Sequence, residues 1–140
     1  MRHVSITAAA AVLALAALPA GAGSDTDKAE EYVLEAETKE LHEAPLHGVE
    51  GKQVVVKEFL VPPGFETERH SHTGPVFVYV VEGEIAVETE EGTETISAGS
   101  LYPEPIDVVM VGRNLSAEAP ARIVMFQIND AGDGMMEKAE

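Results

Sequence analysis

From Val49 onward, the chain alternates short runs of β-forming residues with breaks that contain glycine or proline. The runs cover residues 54–61, 76–81, 85–89, 93–96, 108–111 and 121–128. Glycine and proline in the breaks supply the positive or fixed φ angles that tight turns require. No helical period of useful length appears in this region. Many short strands at this spacing predict an all-β domain, either a sandwich or a barrel.

The first 22 residues have the pattern of a secretory signal peptide. Arg2 and His3 are followed by the apolar run Val4–Leu18, and an Ala-x-Ala motif predicts cleavage after Ala22. The run is shorter than the roughly 20 residues of a membrane-spanning helix. We therefore expect a periplasmic or secreted protein of 118 residues that is not inserted in the membrane after cleavage. The alternative is an uncleaved N-terminal anchor.

Composition excludes several classes of function. The chain has 25 acidic and 9 basic side chains and a formal net charge of −16, so nucleic acids and anionic membranes would be repelled. It has no cysteine, which excludes disulfides, thiolate metal sites and thiol nucleophiles. No phosphate loop, dinucleotide fingerprint or serine nucleophile elbow is present.

Two segments flank the β-rich region. Residues 23–48 form an acidic leader, in which either a short helix capped by Asp25 or an edge strand opening at Tyr32 is compatible with the sequence. Residues 130–140 form a polar tail that contains Gly132 and Gly134, and we expect it to be loose. The predicted domain is thus residues 49–129.

His70 and His72 are the most informative pair in the sequence. Positions i and i+2 of a strand face the same side, and two neutral imidazoles placed in this way can share one divalent cation. A His-x-His pair alone is a weak signal, because many such pairs lie on solvated strand faces.

The spacing around this pair resembles the first motif of the cupin superfamily: Gly64, five residues, His70-x-His72, ten residues, Gly83. The segment 96–104, followed by Asn114, is similar to the second half of the motif. The resemblance covers about Val49 to Ile128. It implies a double-stranded β-helix, which is a small jelly-roll barrel with a pocket at its centre.

The resemblance fails at two positions. Cupins that hold a metal typically use three histidines and one glutamate, and His70 and His72 match the first two ligands. The glutamate position is occupied by Val76, and the position of the third histidine by Met110. Half of the ligand set implied by the resemblance is therefore replaced by apolar residues.

Three interpretations of the histidine pair follow. In the first, His70 and His72 bind a metal ion with help from water, from Met110 or from a carboxylate, for which the candidates are Glu66, Glu68, Glu104 and Asp107. A thioether ligand at Met110 would favour copper(I), since soft sulfur and imidazole both suit that ion. In the second, the histidines form hydrogen bonds in a metal-free ligand pocket. In the third, they are a structural remnant without a ligand.

Strand parity and the resemblance together predict the lining of the pocket. The predicted residues are Val76, Val78, Val80, Val108, Met110 and Glu104, which describe a small apolar site with a polar tip. The alternative is that the valines simply fill a narrow barrel. Phe77, Tyr79 and Val81 would then face outward, and because an apolar stripe of that kind must be covered, we expect a homodimer.

The sequence therefore predicts an exported cupin-like barrel that binds a small-molecule ligand or one metal ion, either a divalent cation or copper, without established catalysis. One alternative is a metal-dependent cupin enzyme of the oxygenase or isomerase type. Another is a periplasmic protein that handles copper through His70, His72 and Met110.

Overall fold

The computed structural model describes residues 35–140. The predicted signal peptide, and the alternatives of a helix capped by Asp25 or a strand opening at Tyr32, lie outside the described residues. Residues 35–140 contain strands and turns but no helix, and hence none that could span a membrane.

In the described part of the chain, ten strands form two five-stranded sheets. The strands are β1 (Glu37–Pro45), β2 (Lys52–Val61), β3 (His70–Ser71), β4 (Val76–Glu82), β5 (Glu84–Thr89), β6 (Gly92–Ser97), β7 (Leu101–Glu104), β8 (Met110–Arg113), β9 (Ala121–Asp130) and β10 (Glu137–Lys138). The first sheet has the order β1-β2-β9-β4-β7 and the second the order β10-β3-β8-β5-β6. The pairings between these strands are antiparallel. The predicted all-β class is confirmed.

The inner face of β4 shows why the chain folds in this way. Val76, Val78 and Val80 are at most 1% exposed, whereas Phe77 and Tyr79 between them are exposed. Side chains alternate across a strand, and β-branched valine suits the pleated surface. The valines of β4 therefore form the centre of the hydrophobic core.

Both flanking segments contribute strands. β1 pairs with β2 from Glu37↔Leu60 to Pro45↔Gln53, so the second half of the acidic leader is the edge strand of the first sheet. In the tail, β10 pairs with β3 through Glu137↔Ser71 and Lys138↔His70. The expectation of a loose tail is therefore wrong for this segment, because backbone pairing that the side chains do not reveal holds it in place.

The connection from β3 to β4 passes close to β9. A Cβ atom on Gly74 would lie 2.2 Å from the Ile128 carbonyl oxygen, and the Ile128 N–H donates to the Pro75 carbonyl at 3.0 Å. Only a residue without a side chain fits there. This contact fixes the chain two residues after His72 and so positions the histidine strand against the first sheet.

Candidate functional site

A cavity of about 480 Å³ is lined by residues of both sheets. Most of its wall is apolar and includes Phe59, Val61, Phe65, Val78, Ile85 and Ile123. The polar side chains His70, His72 and Glu104 line the same cavity. An apolar cavity with a few convergent polar groups is the usual form of a small-molecule site.

Both histidines of the motif are inside the protein. His70 is 5% exposed and His72 is 2% exposed, so the pair does not lie on a solvated strand face. The ring centroids are 5.0 Å apart and the ring planes are nearly perpendicular, at 80°. The side chain of His70 reaches the cavity from β3, and that of His72 reaches the same cavity from the turn that follows β3.

Hydrogen bonds to the backbone set the tautomer of both rings. The Nδ1 atom of His70 lies 2.9 Å from the Glu68 carbonyl oxygen, and the Nδ1 atom of His72 lies 2.8 Å from the Met135 carbonyl oxygen. A carbonyl oxygen only accepts, so each Nδ1 must carry the proton and donate it. Each neutral ring then keeps an unprotonated Nε2, which is the form of histidine that binds a metal ion.

A buried polar contact joins His72 to Glu104. Their Nε2 and Oε2 atoms are 2.9 Å apart, and the side chains are only 2% and 6% exposed. Although the distance is that of an ion pair, neither atom has a hydrogen-bond partner. When the ring of His72 is neutral, its single proton is on Nδ1 and the contact brings two acceptors together. Buried acceptors left in this state call for a proton or a cation.

Glu104 lies on β7, the strand next to the one on which the cupin resemblance places the glutamate ligand. Val76 of β4, where the resemblance places a glutamate, pairs directly with Glu104 of β7. Directly paired residues of an antiparallel sheet have their side chains on the same face, with Cβ atoms about 5 Å apart. The carboxylate therefore reaches the cavity from the neighbouring strand.

The side chains of the other carboxylates proposed from the sequence either pair with basic residues or line a different cleft. Glu66 lines the cavity and forms an ion pair with Arg113, and Glu68 also lines it but pairs with Lys138 at 2.6 Å. Asp107 lines a different, open cleft. Glu104 is therefore the candidate in contact with a histidine of the motif.

Of the other predicted pocket residues, only Val78 lines the cavity. Val76, Val80 and Met110 are packed in the hydrophobic core and do not belong to the cavity wall. Met110 is 1% exposed and pairs with His70 across the sheet. Val108 precedes β8 and lines the open cleft instead of the central cavity, because its side chain lies in the loop where strand parity no longer applies.

Sequence reasoning missed two parts of the cavity wall. Glu35 and Ala36 contribute from the segment before β1, and Met135 and Met136 contribute from the tail. These residues are distant in sequence from the histidines. The paired methionines were the one apolar feature of the tail that could have indicated a buried contact.

The open cleft is larger, at about 1090 Å³, and lies between the β5–β6 hairpin and the β7–β8 connection. Its wall includes Glu90, Glu91, Glu94 and Tyr102. Burial raises the pKa of Tyr102 above 10.0, and the negative charges of Glu94 and Glu104 raise it further. The cleft lacks both histidines of the motif, so we place the candidate site in the central cavity.

Two buried side-chain amides on β9 lie close to Val76, the residue that pairs with Glu104. Gln127 of β9 pairs with Val76 on the side opposite Glu104, and Asn129 follows two residues later. Both residues are 3% exposed, and the side-chain oxygens of both lack a hydrogen-bond partner. The nitrogen of Asn129, in contrast, donates to the carbonyls of Asp133 and Gly134 at 3.1 and 3.2 Å.

Within residues 35–140, no group of three or more histidine, aspartate and glutamate side chains is already gathered in an arrangement able to hold a metal ion. The preformed element is the His72–Glu104 pair, and His70 faces the same cavity.

A family model described as a cupin domain (Cupin_2) matches residues 57–127, which is just over half of the chain. A cupin domain from Bordetella pertussis is 27% identical with a TM-score of 0.52, over 67% of this chain and 93% of that one. A cupin 2 domain-containing protein from Halorhodospira halophila is 18% identical with a TM-score of 0.62, over 81% and 76%.

A double-stranded β-helix protein from Klebsiella pneumoniae is 21% identical with a TM-score of 0.55, over 74% of this chain and 86% of that one. No functionally curated protein matches the chain. The predicted double-stranded β-helix is confirmed by these likenesses of fold. The family match agrees with the motif spacing around His70 and His72, and the chain belongs to the cupin-domain family.

Proposed function

We propose that the central cavity binds one divalent metal ion through His72, Glu104 and His70, next to a small and largely apolar molecule. The family match supports a cupin that binds a small ligand or a metal. The single observation that carries the proposal is the buried contact between His72 Nε2 and Glu104 Oε2.

The distance in this contact suits two ligands of one cation. Metal bonds to imidazole nitrogen and carboxylate oxygen are about 2.0–2.2 Å long. Two ligand atoms at right angles around the ion are then about 3 Å apart, close to the observed 2.9 Å. A cation would also satisfy both acceptors, which otherwise have no partner. The residues present therefore fit the metal that the fold family implies.

The protein contributes orientation as well as donor atoms. Backbone carbonyls of Glu68 and Met135 hold the Nδ1 protons of His70 and His72, which leaves both Nε2 atoms available. A bound cation would supply Lewis acidity toward an oxygen of the neighbouring molecule. Two histidines and one carboxylate leave further coordination positions open, so the affinity should be lower than that of a site with four protein ligands.

The wall of the cavity indicates the chemistry of the small molecule. Phe59, Phe65 and Ile123 surround it with apolar surface, and Arg113 at the wall is already neutralised by Glu66 and Glu88. No free cationic side chain among the described wall residues is left to bind a carboxylate or phosphate. We therefore propose an uncharged, mostly apolar ligand with one oxygen directed toward His72 and Glu104.

Zinc titration by calorimetry of untagged protein tests the metal site. Glu104→Gln and His72→Ala should each lower the affinity for Zn²⁺ at least about ten-fold, because each removes a ligand. Glu91→Gln is the matched control, since it removes one carboxylate from the exposed β5–β6 turn. Equal affinities for the wild type and Glu104→Gln would refute the proposed site.

A metal-dependent enzyme of the oxygenase or isomerase type is the second candidate function, and the open coordination positions of a two-histidine, one-carboxylate site favour it. It predicts that turnover of a substrate is abolished together with metal binding in His72→Ala. Copper handling through His70, His72 and Met110 remains a separate proposal. It requires that Met110→Leu lower the affinity for copper(I) while leaving that for Zn²⁺ unchanged.

We also propose that the protein is exported, on the basis of the pattern in residues 1–22. Mass spectrometry of protein purified from its native cells should then give a chain that begins at Gly23. A chain that retains Met1–Ala22 would contradict export with cleavage.

A further inference from the structure

The C-terminal segment, residues 131–139, lies against the histidine strand. β10 pairs with β3, the Ala139 N–H donates to the Arg69 carbonyl at 2.9 Å, and Lys138 forms an ion pair with Glu68. These contacts keep the segment next to His70 and His72 although about 60 residues separate them in sequence. Met135 and Met136 of this segment form part of the cavity wall.

One contact of this segment reaches the site itself. The Met135 carbonyl accepts the Nδ1 proton of His72 at 2.8 Å. If this acceptor moved away, the proton of the neutral ring could occupy Nε2 and donate to Glu104, and Nε2 would then no longer be a ligand. The segment thus decides whether the nitrogen of His72 that faces Glu104 carries the ring proton.

Asn129 holds the segment in that position. It is 3% exposed, and its side-chain nitrogen donates to the carbonyls of Asp133 and Gly134, immediately before Met135. Asn129 lies at the end of the long strand β9, so the anchor is rigid. Asn129 therefore connects the barrel to the backbone immediately before Met135, whose carbonyl orients His72.

We propose that the C-terminal segment, anchored by Asn129, is a positioning element of the site, and that its docking and the binding of a cation at His72 stabilise each other. The coupling rests on the metal site proposed above. A cation on Nε2 withdraws electron density from the ring and makes Nδ1–H a stronger donor to Met135. Coupling of this kind is reciprocal, so a docked segment must equally raise the affinity for the cation.

Asn129→Asp in the full chain tests the anchor. The carboxylate has nearly the shape of the amide but cannot donate to Asp133 and Gly134, so the backbone immediately before Met135 should lose its anchor. We expect the affinity for Zn²⁺ to fall about ten-fold, as for other changes in groups that orient a metal ligand. Nitrogen NMR of His72 in the metal-free variant should show that the ring proton is no longer confined to Nδ1.

Gln53→Glu is the matched control. Gln53 is the partner of Asn129 on β2, so this change adds the same charge beside the anchor while leaving the amide of Asn129 in place. It should retain the wild-type affinity and the Nδ1 tautomer. An equal loss of affinity in Gln53→Glu would show that charge, and not release of the segment, is responsible, and would overturn the proposal.

A second measurement uses the wild-type chain and does not depend on the folding of a variant. Zn²⁺ should slow amide hydrogen exchange in residues 135–139, because binding stabilises docking. If Zn²⁺ binds but leaves this exchange and the affinity of Asn129→Asp unchanged, the proposal is wrong and the metal site stands. If the wild type binds no Zn²⁺, the proposed metal site and the coupling both fail, while the NMR result still decides whether the segment sets the tautomer of His72.

Discussion

Val76 and Glu104 occupy paired positions on neighbouring strands and make different contacts. The two residues pair directly across β4 and β7, so their side chains share the inner face. The valine fills the core at 1% exposure, and the glutamate takes the contact with His72.

Moving the carboxylate from β7 to β4 tests whether the two paired positions can serve one metal site. Glu104→Val should lower the affinity for Zn²⁺ at least about ten-fold. The double variant Val76→Glu/Glu104→Val should regain much of it, because the new side chain lies about 5 Å away on the same face. Calorimetry measures both. A double variant no better than Glu104→Val would mean that the two positions do not serve one site.

Tyr102 provides a test of the electrostatics beside the site. Burial, with Glu94 and Glu104, raises its pKa above 10.0, so the folded protein holds the phenol proton more tightly than the unfolded chain does. The resulting stability is fully present below the unfolded pKa and is lost as pH rises through the folded pKa. Tyr102→Phe should therefore lose less stability than the wild type in alkaline solution.

Denaturant unfolding of Tyr102→Phe and wild type at increasing pH measures this difference. Ultraviolet absorbance of the wild type, with the variant subtracted, should place the ionisation of Tyr102 above pH 10.0. Ionisation at or below the ordinary value would contradict the burial and the negative surroundings of this phenol.

The turn between β3 and β4 leaves no room for a side chain at Gly74. Gly74→Ala places a methyl group against the Ile128 carbonyl, and the backbone must move to accept it. We expect the free energy of unfolding to fall by about 1–3 kcal/mol, as is usual for overpacking. Gly134→Ala is the control, because its Cβ would meet nothing closer than 3.8 Å. Equal stability of the two variants would contradict the close approach.

The elements differ in how far the sequence could predict them. β4 and β5 carry alternating or continuous apolar residues between glycine breaks, so local pattern identified them. β1 has almost entirely exposed side chains, and β10 has only two residues, so neither carries a hydrophobic pattern. Their positions depend on backbone pairing with distant strands, which local periodicity does not encode.

The residues of the candidate site also divide into those that a local pattern predicts and those that depend on contacts between distant parts of the chain. Strand parity predicts only that His70 and His72 share one side, and the resemblance to the cupin motif implies that this side faces the pocket. The choice of Glu104 among four candidate carboxylates depended on the register of β4 against β7. The role of Met135 depended on a hydrogen bond between residues 63 positions apart. Both are non-local facts that the sequence alone left open.

The outer face of the first sheet is relevant to the oligomeric state of the protein. Phe77, Tyr79, Leu101 and Phe126 are exposed on it, and Phe77 pairs with Phe126 across β4 and β9. An exposed apolar surface of this kind is typical of an interaction site. We propose that it is the interface of the expected homodimer, because a second copy would cover the same apolar residues.

Light scattering should give twice the mass of one chain for the wild type. Tyr79→Lys/Phe126→Lys should give the mass of a single chain, since two buried charges without partners would oppose association. Because these side chains point away from the cavity, the double variant should keep its affinity for Zn²⁺. A monomeric wild type, or a double variant that remains dimeric, would contradict the interface.

Anomalous X-ray scattering from crystals soaked in Zn²⁺ tests the central proposal most directly. It should show one peak between His72 and Glu104, about 2.0–2.2 Å from Nε2 and from Oε2, with Nδ1 of His72 still bonded to the Met135 carbonyl. The absence of a peak there, with a direct hydrogen bond joining Nε2 to Oε2, would mean that a proton and not a metal ion occupies the contact.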